Sequence, residues 1–269
     1  MLIRKLIDKG AIRLCLTVAQ QRDRANRALA WIKDGSPQPD SRKDLYDKRI
    51  TCYGEIWKVI EAVDASSANA LRGNADASQV ARRKDEAYAV IDGSEDEVFQ
   101  NCLFDWYLQR NWSQRLLDLT SPYVISYLQR KSENEQEVAD LLWRYYAHHR
   151  QYFEAAKVQL QLAKSGFPID LPSRIEYLSR AKANASARTL GFGDMTGSKQ
   201  AVMQEIGDQL DCATVQLDTL RRLEQDPRMR PENRPNIVEQ LNSRILSLDE
   251  VWFTYILKLR HFLTILVIS

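Results

Sequence analysis

Turn-forming residues are scarce in this 269-residue chain. It holds 10 glycines and 8 prolines, where average usage gives roughly 19 and 13. Few chain punctuators mean few tight turns, which argues against a fold of many short strands. An excess of one charge is also missing: 38 basic and 36 acidic residues leave +2. The balance is local as well as global. Residues 1–64 carry +4, 65–97 carry −3, 98–150 carry 0, 151–200 carry +3 and 201–269 carry −2. A nucleic-acid binder concentrates cations on one face, so direct nucleic-acid binding is not expected. Long apolar runs are absent too. The longest closes the chain and is interrupted by Lys258, Arg260 and His261. The stretch Phe262–Ser269 is far short of the about 20 residues a membrane helix needs. Met1–Gly10 alternates charge and lacks the apolar centre of a secretory signal. Four cysteines (Cys15, Cys52, Cys102, Cys212) stand far apart with no CxxC. Reduced, buried thiols in a nuclear or cytosolic protein are expected.

What is present is ordinary globular chemistry arranged with helical period. Hydrophobic residues make up 44% and charged residues 28%, which excludes wholesale disorder, collagen and a polytopic membrane protein. Tyr46, Ile50, Tyr53, Trp57 and Ile60 step by 4, 3, 4 and 3 along one helical stripe. Cys52, Ile56, Val59 and Val63 line a neighbouring face, so this helix is expected to be buried on two sides. Asp34-Gly35 with Pro37 and Pro39 ends a first block. The small polar run 65–77 reads as a mobile loop. Ser94-Glu95-Asp96-Glu97 has the spacing of a capping box, and Phe99, Leu103 and Trp106 follow on one face. Ser121-Pro122 opens another helix.

Val138, Leu141, Leu142 and Tyr145 form an i, i+3, i+4, i+7 face. After a break near His148–Arg150 come Phe153, Ala156, Leu160 and Ala163. Ser165-Gly166 predicts a stop, with glycine in the left-handed position that closes a helix. A helix over about 171–189 and a loop over 190–198 follow. Ile206, Leu210, Ala213, Leu217 and Leu220 make a seam of about two heptads. Beyond a proline-rich loop, 226–235, a return helix is expected with Ile237, Leu241, Ile245, Leu248 and Trp252 inward. Antiparallel helix pairs without a fixed repeat length predict an all-α fold, an irregular α-solenoid.

Chemistry is sparse. None of the three histidines follows a glutamate by three, so the di-iron bundle motif is absent. His148-His149 point about 100° apart and read as a helix end rather than a metal site. Gly191–Lys199 fails the phosphate-loop spacing because Ser198 separates Gly197 from Lys199. Asp92, Glu95, Asp96 and Glu97 read as acids at a helix N-terminus, and Glu133, Glu135 and Glu137 as first-turn acids and a solvated face. Trp143 to Phe153 interleaves aromatics with cations, a pattern that can stack single-stranded RNA, but Tyr145 and Phe153 already belong to core stripes. No catalytic, cofactor or metal residue is assigned, and an enzyme is not expected.

Three passages resemble one family: Glu135–Tyr146 (EQEVADLLWRYY), Tyr152–Val158 (YFEAAKV) and Leu171–Ala181 (LPSRIEYLSRA). Trp31–Gly35, Asp44–Arg49 and Leu248–Tyr255 follow it in the same order. The chain resembles the large inner-ring scaffold nucleoporins, the non-repetitive, WGA-negative family of the nuclear pore complex, over about residues 1–256. The resemblance implies a piece of a C-terminal α-solenoid, with solenoid segments 1–64 and 78–256 flanking the loop 65–77. It implies a scaffold role in the inner ring at the nuclear envelope, supporting nucleocytoplasmic transport. Partners would be other nucleoporins, especially linker nucleoporins bound through short linear motifs. Membrane contact would come only through parts of a full-length parent absent here, such as its β-propeller. Residues 257–269 do not resemble the family and read as an atypical apolar tail, as a truncated or mis-spliced gene model would leave. A helical-repeat RNA- or peptide-binding adaptor is the alternative, and it would call for a fixed repeat period.

Overall fold

The computed structural model describes residues 2–70, 77–187, 197–225 and 234–252. These residues form α-helices and no strand. The chain divides into two compact units, Met1–Tyr127 and Leu128–Ser269.

The first unit holds α1 (Leu2–Arg22), α2 (Arg27–Lys33), α3 (Lys43–Ala70), α4 (Ala77–Asp92), α5 (Glu97–Gln109) and α6 (Ser113–Asp118). The boundary falls within α7 (Tyr123–Ser132). Helix α3 packs on α1, α2 and α4, and both of its expected apolar faces contribute. Tyr53, Ile56, Ile60 and Val63 are buried with Ile12, Ile91, Phe99 and Leu103. Trp57 stacks with Phe99 and Trp106 at ring separations of 5.5 and 5.1 Å. Burial of such aromatic area is the main stabilising contribution here.

Two expected boundaries move. The loop expected over 65–77 begins late, because α3 runs on to Ala70. Three alanines in 65–70 favour helix, and the Ser66 hydroxyl donates back to the Ala62 carbonyl at 2.7 Å rather than breaking the turn. Residues 71–76 lie outside the described residues. At α5 the cap is Asp96, not Ser94. The Asp96 carboxylate accepts from the amides of Val98 and Phe99 at 3.1 and 3.2 Å. A buried carboxylate facing a cation holds the cap position better than a hydroxyl two residues upstream. Gly35 does take the left-handed conformation, φ +82, just after α2.

The second unit continues with α8 (Gln136–His148), α9 (Tyr152–Lys164), α10 (Leu171–Ser186), α11 (Gly197–Gln225) and α12 (Arg234–Asn242). Each packs on the next, as short connections between antiparallel neighbours require. Ala155, Ala156 and Ala163 are fully buried, which lets α9 approach its neighbours closely. Asp170 caps α10 by accepting from the Ser173 amide at 2.9 Å, with Pro172 in the first turn. The stop after α9 uses Ser165 in extended conformation. Gly166 is not left-handed, because the Ser165 hydroxyl donates to the Leu162 carbonyl at 2.8 Å and serves the helix end instead.

The return helix is corrected. It breaks over 243–247 and resumes as a helical turn at 248–252. Gln216, fully buried on α11, explains the break. Its amide donates to the carbonyls of Leu241 and Arg244 at 2.5 and 2.7 Å and accepts from the Leu246 amide at 2.7 Å. Ser247 and Glu250 then cap each other reciprocally: the Glu250 amide donates to the serine hydroxyl, and the Ser247 amide to the Glu250 carboxylate. Leu241, Leu246 and Val251 point inward beside Leu220 and Leu223, whereas Leu248 and Trp252 are 52% and 65% exposed. The loops expected over 190–198 and 226–235 lie mostly outside the described residues, although Gly197-Ser198 already belong to α11 and Arg234-Pro235 to α12. The tail 257–269 lies outside them altogether.

Candidate partner-docking groove

Three acids of the 92–97 cluster are engaged within the chain. Asp92 accepts from Arg115 and from the Tyr107 hydroxyl, both at 2.5 Å. Glu97 pairs with Lys33 at 2.9 Å. Asp96 accepts from Arg49 at 2.6 Å and from the Tyr53 hydroxyl at 2.7 Å. Asp92, Asp96 and Glu97 are therefore separated onto different cations. No group of three metal-ligating side chains occurs among the described residues. Burial, reinforced by Asp96, pushes the Tyr53 hydroxyl far up from its usual range. A phenol so held stays neutral and serves as a hydrogen-bond bridge.

The histidine pair closes α8, with His149 as C-cap and its ring 4.3 Å from that of Tyr145. Aromatics of the Trp143–Phe153 run are likewise engaged within the chain. The Trp143 indole donates to Asp140 at 2.7 Å, Tyr145 and Tyr146 are buried, and Lys157 lies 5.1 Å over the Phe153 ring. Sequence reasoning missed two fully buried arginines, Arg49 and Arg174. Arg49 bridges Asp23, Asn26, Tyr53 and Asp96. Arg174 donates to the carbonyls of Ala163, Ser165, Phe167, Ile169 and Ser243 at 2.7–3.0 Å. Both sit on apolar stripes, which was the available signal.

The concave surface of the second unit that α7, α8 and α9 build is a groove of about 510 Å³. Ala139, Leu142, Val158 and Leu162 form its apolar floor, and Phe167 and Gln161 stand at its mouth. Gln129 donates to the Tyr146 hydroxyl across one wall at 3.0 Å. Burial raises the Tyr146 hydroxyl above its ordinary range, while the Gln129 bond pulls it down. Glu154 and Lys157 pair at 2.8 Å along the rim. An apolar floor with a mixed polar rim suits a peptide with apolar anchors better than a small reactive substrate.

Residues 7–268 match the family described as non-repetitive/WGA-negative nucleoporin, C-terminal. The match runs past 256, where the likeness was expected to stop, and takes in most of the tail. The chain is 42% identical over 247 residues to nucleoporin NUP170 of Chaetomium thermophilum, covering 91% of this chain and 17% of that protein. It is 34% identical over 245 residues to the probable nucleoporin C890.06 of Schizosaccharomyces pombe, covering 91% and 18%. The chain thus spans under a fifth of the relatives' own length. Among solved structures it superposes on the Chaetomium thermophilum Nup170 C-terminal domain in complex with Nup145N. That match has a TM-score of 0.84 at 42% identity, over 91% of this chain and 46% of that one. The helical order described above is therefore the all-α, irregular α-solenoid class that its periodicity predicts. Sequence, helix order and superposition agree, and the chain belongs to the non-repetitive/WGA-negative nucleoporin family.

Proposed function

We propose that this chain is a structural part of the nuclear pore inner ring at the nuclear envelope. On this reading it takes a short linear segment of a linker nucleoporin in the groove between α8 and α9. The observation that carries the reading is the likeness to a Nup170 C-terminal domain bound to Nup145N. The groove supports it. Its floor offers Leu142, Val158 and Leu162 to apolar anchors, and its rim offers charges of both signs to the flanks. The role is non-catalytic: the carboxylates, tyrosines and arginines described above hold one another. A linker joins its modules through effective concentration, so modest affinity per segment suffices.

The test is a fluorescence-anisotropy titration of the chain with peptides tiled along linker nucleoporins. One peptide is expected to bind, and Phe167→Ala or Gln161→Trp to weaken it about tenfold, the loss of about 1.4 kcal/mol. Both positions lie at the mouth rather than in the core, so the fold is retained. Binding unchanged in both variants would move the site elsewhere, and no binding by any peptide would remove the docking role.

A further inference from the structure

The groove floored by α8 and α9 has one wall that is not helical. Ala139, Leu142, Val158 and Leu162 stand on the two helices, so their places follow from helix packing. Ser165 and Phe167 also line the groove, but they lie past the last residue of α9, where no helical ladder fixes the backbone. Pro168 follows and brings no N–H of its own to hold the stretch in shape.

Arg174 supplies that hold from outside the groove. It is 1% exposed, stands on α10 and is not among the lining residues. Its guanidinium donates to the carbonyls of Ser165 and Phe167, both at 2.9 Å. The nitrogen that serves Phe167, Nη2, also donates to the carbonyl of Ser243 at 2.8 Å, and Ser243 lies 69 residues further along the chain. Two bonds from one nitrogen of a rigid planar group cannot shift separately, because turning toward one acceptor spoils the angle to the other. A second tie lies beside the first: the Leu171 amide at the start of α10 donates to the Asn242 side chain at 2.9 Å. Ser243 is exposed and is not part of the groove lining.

We propose that Arg174 is a positioning residue for the docking groove. It sets the Ser165–Phe167 wall and couples that wall to the 243–246 stretch beyond α12. This role rests on the docking reading above. Arg174 touches no partner and acts through Phe167. A segment that packs on Phe167 steadies the guanidinium and, through it, Ser243. By linkage, loosening at 243–246 weakens the hold on the segment in return.

Hydrogen–deuterium exchange on the full chain, with and without the tightest-binding peptide of the tiled series, reads the coupling. Saturating peptide is expected to slow exchange of the 243–246 amides at least threefold in the wild-type chain. In Arg174→Met, with folding checked by circular dichroism, that slowing is expected to vanish at saturation. Anisotropy titrations add a double-mutant cycle. Arg174→Met and Phe167→Ala are each expected to weaken the peptide about tenfold, and the double variant also about tenfold, where independent sites would give about a hundredfold. Bound peptide with unchanged exchange at 243–246 in the wild-type chain would overturn the coupling, and that measurement needs no variant to fold. A hundredfold loss in the double variant would overturn the positioning role while leaving the docking role in place. No binding by any peptide would remove the docking role itself, and the positioning role with it.

Discussion

Among the described residues each unit buries one arginine, and the two are satisfied by different means. In the first unit Arg49 meets two carboxylates, Asp23 at 3.2 Å and Asp96 at 2.6 Å, all three side chains being about 1% exposed. Burial alone would lower the affinity of the guanidinium for its proton. Hydrogen bonds to Asp96 and Tyr53, with the negative charge of Asp96, outweigh that and push it upward. In the second unit no carboxylate among the described residues is bonded to Arg174. All five of its N–H groups go to backbone carbonyls. Burial draws its pKa downward, and only the field of nearby Asp170 opposes the shift. The comparison teaches where each unit is vulnerable. Arg49 holds two helix starts, because Asp23 also accepts from the first-turn amides Arg27 and Ala28 of α2 while Asp96 caps α5. Arg174 holds one helix end and a turn, gathering carbonyls from the last turn of α9 and the stretch after it together with Ser243 beyond α12.

The sharpest break is expected from Asp96→Ala. It removes the α5 cap, the Tyr53 acceptor and the strongest Arg49 partner together, and leaves a guanidinium buried. The cost is about 3–5 kcal/mol, read as a lower urea midpoint. Next is Arg174→Met, which strips donors from five carbonyls but leaves no buried charge. It is expected to cost about 3 kcal/mol, with faster exchange at the 163–169 turn and at 243–246. If Arg174→Met proved worse than Asp96→Ala, the ranking of carboxylate-held over carbonyl-held cations would be wrong. The smallest effect belongs to an exposed pair. Arg244, with the Ser247 amide, holds the Glu250 carboxyl down to about 2. A depressed carboxylate contributes above its ordinary pKa, and that contribution fades as pH falls from about 4.5 toward 2. Glu250 is therefore expected to titrate near pH 2 by carbon-detected NMR, and Arg244→Ala to return it toward 4.5.

Much of the fold was legible because helical burial is local. Tyr53, Ile56, Ile60 and Val63 are read from spacing alone and are buried as spaced. The polar exceptions were legible as positions but not as partners. Arg49 lies four residues before Tyr53, Arg174 four before Leu178, and Gln216 four before Leu220, each inside an apolar stripe. Their partners Asp23, Asp96, Ser243 and Leu241 lie 26, 47, 69 and 25 residues away, beyond the reach of periodicity. Capping shows the same limit. The S-x-x-E spacing at Ser94 lost to Asp96, which had a buried cation to face, while the same spacing at Ser247–Glu250 forms the reciprocal cap and breaks the return helix. The α8–α9 groove was out of reach as well, since its lining depends on how three helices meet.

Arg174 has a mechanical consequence. A planar group bonded to five carbonyls on two stretches of chain works like a rivet through two plates. A pull that separates Ser243 from the 163–169 turn loads bonds fixed to one rigid plane, so they share the force instead of parting one at a time. That makes the junction between the α9 turn and the stretch after α12 a point of high resistance to tearing.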